Sequence, residues 1–202
     1  DPDRTNPDVD DDGVFDGAEV QQGTDPLDGV PARTGLLSST ETPGQAQDVC
    51  GTNDYVAVAD GLEGVTVFNV FNRMNPRAIA RVAFGAPALR VACGQTRLGV
   101  VVSGQLAIVD ISDPANAVQS SRLDHLTLRG RAQAVALADN LAFVGTTSGV
   151  AVVDMNSGTV FDWVSTGAVT DLSFDGLSLI AVTNQELVII PVAQQTLRVV
   201  GS

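Results

Sequence analysis

An acidic stretch near the start of the chain has the residue types and spacing that bind a hard metal cation. Over residues 8–19, acidic side chains fall at positions 1, 3, 5, 9 and 12 of a twelve-residue loop, and Gly13 falls at position 6. In a calcium loop of this spacing, alternate side chains supply single oxygens, the glycine permits a sharp turn, and position 7 offers its backbone carbonyl. Magnesium fits less well, because it requires octahedral geometry and retains its waters. The spacing predicts a Ca²⁺ site with the ligands Asp8, Asp10, Asp12, the Val14 carbonyl, Asp16 and Glu19.

The charge distribution singles out the same segment. Residues 1–28 carry ten acidic side chains and one arginine, so they contribute −9 of the net charge of −13. A solvated acidic tail is the alternative explanation for this clustering. The rest of the chain has no basic patch that could neutralise phosphates, so nucleic acid is not expected as a partner. No apolar run reaches the length of a membrane-spanning segment.

The flanks of the loop are not those of a helix–loop–helix calcium site. Pro7 directly precedes the loop and leaves no room for an entering helix, whereas Ala18–Gln22 is expected to form about one helical turn ended by Gly23. The segment TNPDVDDDGVFDGAEVQQGTDPLDG resembles the thrombospondin type-3-like calcium repeats of bacterial surface proteins. That resemblance implies an extracellular, calcium-stiffened segment over residues 1–30.

Residues 31–202 contain a repeated pattern of apolar strands. The segments VTVFNV, LAIVDI, VAVVDM and LVIIPV begin at residues 65, 106, 150 and 187, so they are spaced by 41, 44 and 37 residues. Two apolar strands precede each segment and a more polar strand follows it, with turn residues between them. A repeat of about 40–45 residues is typical of a four-stranded propeller blade. The predicted units are residues 44–84, 85–125, 130–166 and 167–202.

The apolar composition of the inner strands favours a propeller over a β-sandwich, because stacked blades bury both faces of a sheet. The stretches VADGLEGVTVFNV, from residue 58, and LAIVDISDPAN, from residue 106, resemble the LVIVD repeats of bacterial and archaeal surface propellers. This resemblance implies an all-β propeller at the cell surface. It is weakest in the fourth unit, where Pro191 replaces the aspartate of the third strand.

Two features leave alternatives open. Residues 33–40 align with Arg77–Phe84 and predict an extra N-terminal outer strand, unless they form a loop packed on the first blade. Cys50 and Cys93 occupy equivalent positions in neighbouring units. They are either buried thiols or a disulfide between adjacent blades, which would require a Cα separation below about 7 Å.

The sequence offers no arrangement typical of an enzyme active site, and we expect no enzymatic activity. His125 is the only histidine, and no nucleophile elbow or phosphate-binding loop is present. Asp110 and Asp154 recur at one repeat position, with Asn69 at the same place in a third unit, which favours a role in capping a turn. We therefore expect an extracellular or cell-surface binding or adhesion module that recognises a protein, a glycan or further copies of itself. The alternatives are a structural subunit of an extracellular assembly, joined by strand or calcium-segment contacts, and a propeller-hosted hydrolase or lyase.

Overall fold

The computed structural model describes residues 6–29, 38–52, 54–193 and 196–197. The chain forms two compact units, Asp1–Leu37 and Ser38–Ser202. In its described residues, 6–29, the first unit contains one helix, α1 (Asp16–Gln22), which ends at Gly23 in the left-handed conformation with a φ of 72°. The helix begins two residues earlier than the sequence predicts, since the carboxylates of Asp16 and Glu19 in its first turn stabilise the amino-terminal end.

The described residues of the second unit form four antiparallel four-stranded sheets, each made of consecutive strands. This architecture confirms the predicted propeller blades. Blade 1 contains β1 (Asp48–Gly51), β2 (Tyr55–Ala59), β3 (Val65–Asn69) and β4 (Arg77–Val82). Blade 2 contains β5 (Ala88–Cys93), β6 (Arg97–Val102), β7 (Gln105–Asp110) and β8 (Val118–Leu123). Blade 3 contains β9 (Ala132–Ala138), β10 (Leu141–Thr146), β11 (Gly149–Asp154) and β12 (Thr159–Ser165). Blade 4 contains β13 (Val169–Phe174), β14 (Ser178–Thr183), β15 (Leu187–Ala193) and β16 (Thr196–Leu197).

Apolar side chains fill the spaces between successive blades. Within the described part of the chain, three clusters lie between blades 1 and 2, 2 and 3, and 3 and 4. Strand β7 shows the principle, because Ala107 and Val109 belong to the first cluster while Leu106 and Ile108 belong to the second. Neighbouring residues of a strand point to opposite faces, so a sheet covered on both sides requires a continuous apolar run.

The blades share local irregularities as well as strand order. The pairing of the third with the fourth strand shifts register at the same place in blades 1, 2 and 3, between Val67/Phe68, Ile108/Val109 and Val152/Val153. A bulge of this kind increases the local twist of a strand. Because the bulge recurs in three blades, the repeat encodes the position of this irregularity as well as the positions of the strands.

A disulfide joins the first two blades. Cys50 in β1 and Cys93 in β5 are bonded, and their Cα atoms are 5.5 Å apart. The two strands contact each other directly, and the backbone amide of Val91 also donates a hydrogen bond to Asp48 at 3.0 Å. The structure thus decides between the two possibilities that the sequence left open for the cysteines.

Three details complete the comparison with the predicted elements. Of the predicted extra outer strand, residues 33–37 lie outside the described residues, and Ser38, Ser39 and Thr40 are not in a strand. Pro191 pairs with Ser178 inside β15, so the fourth unit keeps its strand despite the proline. A short 3₁₀ helix, Pro114–Asn116, precedes β8 and was not expected. In the described parts of the chain, no helix has the length and apolar character needed to cross a membrane.

Candidate metal centre

The predicted calcium loop is closed on itself by hydrogen bonds. The Asp16 amide donates to the Pro7 carbonyl at 2.9 Å, and the Val9 amide donates to Asp16 Oδ1 at 2.9 Å. The Asp8 carboxylate accepts the amides of Asp12 and Gly13 at 3.2 and 3.1 Å. Gly13 has a φ of 92°, which a residue with a side chain rarely adopts, and this explains the glycine at position 6. These bonds hold the two ends of the loop together.

Five buried carboxylate oxygens in this unit have no hydrogen-bond donor among the described residues. They are Asp10 Oδ1, Asp12 Oδ2, Asp16 Oδ2 and both oxygens of Glu19. Glu19 is only 1% exposed and Asp16 only 4%. A buried carboxylate without a donor is costly unless a cation compensates for its charge. Single oxygens at positions 3, 5 and 9 and a pair at position 12 form the donor set that calcium prefers.

The pKa of Glu19 is affected by the other carboxylates of this unit. Burial raises the pKa of Glu19, and the neighbouring charges of Asp12, Asp10, Asp28 and Asp16 raise it further. Each of these carboxylates disfavours a negative charge on Glu19, and a bound cation would reverse that effect.

The structure brings Asp8, Asp10, Asp12 and Glu19 into two groups that share Asp10, and Asp16 belongs to neither group. One carboxylate oxygen each of Asp8, Asp10 and Asp12 lies within 4.8 Å of the other two. Asp12 Oδ1 accepts a hydrogen bond from the Val14 amide at 2.8 Å, which forms a tight turn over residues 12–14. The residues therefore fit a calcium ion. The role of the Val14 carbonyl as a ligand stays a prediction.

One acidic residue at this site was missed by the sequence reasoning. One oxygen each of Asp10, Glu19 and Asp28 lies within 4.8 Å of the others, although Asp28 follows the twelve-residue loop by nine positions. The motif ends at position 12, so it contains no signal for an acidic residue that lies beyond the loop. The available signal was the Asp25-Pro26 turn, which reverses the chain ahead of Asp28.

The repeated polar position at the end of the third strand is structural, as predicted. Asn69, Asp110 and Asp154 accept the backbone amides of Phe71, Ser112 and Asn156, each two residues further on, at 3.0, 2.9 and 2.7 Å. These are Asx turns that direct the chain out of the strand. Hydrogen bonds from the Ser112 hydroxyl and amide, followed by the charge of Arg97, hold the pKa of Asp110 below its usual value.

Among the clefts lined by described residues of the propeller unit, we consider two, each with a volume of about 420 Å³. The first is lined by the starts of β5 and β9 and the turn between β6 and β7, and it contains Arg90 and Arg131. Each arginine gives a guanidinium hydrogen bond to a backbone carbonyl, Arg90 to Leu89 at 2.9 Å and Arg131 to Ser103 at 3.4 Å. The second cleft is lined by Gln95, Thr96, Arg97, Asp139 and Asn140.

Comparison with known proteins agrees with the fold. Residues 100–124 and 129–158 match the LVIVD repeat. The chain is similar to the computationally designed Ika4 protein, with 11% identity and a TM-score of 0.63 over 80% of this chain and 100% of that one. It is also similar to the β-propeller domain of Cps50 (Swd1) from Myceliophteria thermophila, with 15% identity and a TM-score of 0.50 over 78% and 68% of the two chains.

A further similar chain comes from a crystal structure of the mitotic checkpoint complex, with 18% identity and a TM-score of 0.60 over 75% of this chain and 49% of that one. The present chain therefore spans about half of that relative. No curated protein sequence matches the chain. At these identities the solved structures establish the fold alone. The second unit is a β-propeller of four-stranded blades, and two stretches of it match the LVIVD repeat.

Proposed function

We propose that the protein is an extracellular or cell-surface binding module whose N-terminal unit is stiffened by Ca²⁺ and whose propeller recognises a partner without catalysing a reaction. The observation that carries this proposal is the set of five buried carboxylate oxygens that have no hydrogen-bond donor in the described structure. An oxygen-only shell of this kind selects a hard cation. The resemblance to thrombospondin type-3-like repeats supports the same assignment.

The extracellular location has separate support. A disulfide such as Cys50–Cys93 persists in oxidising compartments and is rare in the cytosol. Calcium sites of extracellular modules bind with a Kd of about 10⁻⁴–10⁻³ M, which suits the calcium concentration outside cells.

The cleft that contains Arg90 and Arg131 supports the choice of partner. Both arginines are exposed, and two guanidinium groups at one opening attract carboxylates through charge-assisted hydrogen bonds. An acidic peptide or an acidic glycan is the partner class that this chemistry favours. The Asx turns of Asp110 and Asp154 use these carboxylates for structure, which weakens the hydrolase or lyase alternative.

Isothermal titration calorimetry with CaCl₂ tests the metal assignment. We expect wild-type protein to bind with a Kd of about 10⁻⁴–10⁻³ M and Glu19→Gln to bind at least about tenfold more weakly, because the substitution removes one charged bidentate ligand. Glu41→Gln is the matched control, since Glu41 is exposed and lies in the other unit. Equal affinities for all three proteins would exclude the loop as the binding site.

Limited proteolysis tests whether Ca²⁺ stiffens the N-terminal unit. Phe15 is 64% exposed and lies between ligand positions, so chymotrypsin should cleave after it in calcium-free protein. Millimolar Ca²⁺ should slow this cleavage in the wild-type protein but not in Glu19→Gln. Cleavage at the same rate with Ca²⁺ and with chelator would contradict the stiffening role.

Binding to polyglutamate peptides and to an acidic polysaccharide, measured by biolayer interferometry, tests the partner class. We expect the double variant Arg90→Gln/Arg131→Gln to lose binding and Arg73→Gln, which changes another exposed arginine, to retain it. If neither ligand bound to the wild-type protein, or if the two variants lost affinity equally, this role of the cleft would be refuted.

A second candidate function, a structural subunit that joins copies of itself, is favoured by one surface. We define the free face of blade 4 as Ile180, Val182, Leu187 and Ile189, the residues that point away from blade 3. Their neighbours Leu179, Ala181 and Ile190 are buried against blade 3, whereas Leu187 and Ile189 are 62% and 56% exposed. The equivalent faces of blades 1, 2 and 3 are each covered by the next blade. A blade of a second copy would cover the face of blade 4 in the same way.

Light scattering after size-exclusion chromatography distinguishes the two candidates. Under the assembly hypothesis, the wild-type protein forms dimers or larger species at micromolar concentration, and Ile189→Glu is monomeric. Leu177→Glu is the matched control, because Leu177 is 79% exposed but lies in the turn before β14. A monomeric wild-type protein at high concentration would rule out this candidate.

A further inference from the structure

Asp28 lies at the proposed calcium site although it is outside the predicted loop. One of its carboxylate oxygens lies within 4.8 Å of oxygens from Asp10 and Glu19, and those two oxygens are within the same distance of each other. Asp10 also belongs to the group formed with Asp8 and Asp12. Calcium holds its oxygen ligands at about 2.3–2.6 Å, so oxygens on opposite sides of one ion are separated by up to about 5 Å. The spacing of Asp10, Glu19 and Asp28 is therefore compatible with ligation of a cation.

The backbone after α1 brings Asp28 to this place. The Thr24 amide and hydroxyl both donate to the Glu19 carbonyl, at 3.0 and 3.2 Å, and reverse the chain at the end of the helix. Asp25 Oδ1 then accepts the Leu27 amide at 3.2 Å and forms a second turn. The Gly29 amide donates to Asp10 Oδ2 at 2.7 Å, so the returning segment is hydrogen-bonded to the loop.

The burial of Glu19 is the independent observation that points to a ligand. Its side chain is 1% exposed, and neither oxygen has a donor among the described residues. Asp10, a member of the same group, also has an oxygen without a donor, Oδ1. Three carboxylates at this separation repel one another, and the repulsion is stronger where water is excluded. A divalent cation between the carboxylates offsets this repulsion, because each carboxylate is attracted to the cation.

From this geometry we infer that Asp28 is a further calcium ligand, additional to the loop residues. The inference depends on the proposed calcium function and extends it. Ligation by Asp28 fastens residues 23–29 to the loop, so that binding of one ion fixes both the loop and the chain that leaves it. The calcium-bound segment therefore extends past the end of α1 to include Gly29.

Calorimetry on the full chain at about 0.15 M salt, where long-range charge effects are screened, tests the assignment. We expect Asp28→Asn to weaken calcium binding by about tenfold or more, because the shell loses a charged oxygen ligand. Asp25→Asn is the matched control, since it removes the same charge three residues away while keeping an oxygen for the Leu27 amide. Its affinity should stay within about threefold of the wild-type value.

The outcomes separate the two levels of the proposal. If wild-type protein binds no calcium, both the proposed function and this inference fail. If the wild-type protein binds and Glu19→Gln does not, but Asp28→Asn behaves like Asp25→Asn, the loop binds calcium and Asp28 is not a ligand. A second readout is the amide NMR signal of Gly29, which should shift in proportion to bound Ca²⁺ in the wild-type protein and in Asp25→Asn. A Gly29 signal that responds equally in Asp28→Asn would overturn the inference.

Discussion

Removal of the Cys50–Cys93 disulfide should lower the stability of the propeller by an amount that the sequence separation determines. The bond closes a loop of 43 residues, and the chain-entropy relation then gives a contribution of about 4 kcal/mol at 25 °C. A protein of this size loses about 2–4 °C in Tm for each kcal/mol. The double variant Cys50→Ala/Cys93→Ala should therefore unfold about 8–16 °C below the oxidised wild-type protein.

The native sheets should survive in this variant. Strands β1 and β5 still contact each other, and the Val91 amide still donates to Asp48. Far-UV circular dichroism should accordingly be unchanged at 20 °C, while the urea midpoint falls. Wild-type protein in excess reductant should match the variant, and reductant should have no effect on the variant itself. If the oxidised protein and the variant differed by less than about 1 kcal/mol, the crosslink would not constrain the unfolded chain as reasoned here.

Two further predictions concern the blades. A Cβ at Gly149 would lie 2.1 Å from the Val164 carbonyl oxygen, whereas one at Gly51 would meet its nearest atom at an ordinary 3.5 Å. Gly149→Ala should therefore destabilise the protein by about 1–3 kcal/mol and Gly51→Ala by much less, measured by urea denaturation; similar losses would contradict the packing argument. Asp110→Ala should cost about 1 kcal/mol at pH 7. Because the pKa of Asp110 is lowered in the folded state, its contribution is complete above the unfolded pKa of about 4 and is lost as the pH falls through the lowered value. The difference in unfolding free energy between Asp110→Ala and the wild-type protein should thus become smaller in acid. A difference in unfolding free energy that stays constant from pH 7 to pH 2 would refute the role of the ionised carboxylate. Asp110→Asn should retain part of the stability, as Asn69 makes the same turn without a charge.

The blades were predictable because their sequence carries two coincident signals. The third strands recur at a spacing near 40 residues, and their apolar residues are continuous, which predicts sheets that pack against neighbours on both faces. The third strands begin at residues 65, 105, 149 and 187, within one residue of the repeated segments. The remaining differences arise because the ends of strands depend on bulges and turns that periodicity does not encode.

The disulfide and the full carboxylate cluster could not be derived in this way. Equivalent repeat positions placed Cys50 and Cys93 in neighbouring blades, but the 5.5 Å between their Cα atoms depends on how closely two inner strands approach. The calcium-loop spacing identified the acidic residues at positions 1 to 12, whereas the approach of Asp28 depends on two successive chain reversals after α1. Both features are tertiary, and they follow from packing and turn geometry rather than from local periodicity.

Each sheet is built from one uninterrupted stretch of chain, and no strand is exchanged between blades in the described structure. Every blade can therefore assemble its own ladder as soon as about 40 residues are free, and it needs only the preceding blade to cover its exposed apolar side. A chain that emerges from its amino terminus would acquire the propeller one blade at a time. The disulfide between Cys50 and Cys93 could then form as soon as β5, the first strand of blade 2, has packed against blade 1. Its formation would therefore be an early marker of folding.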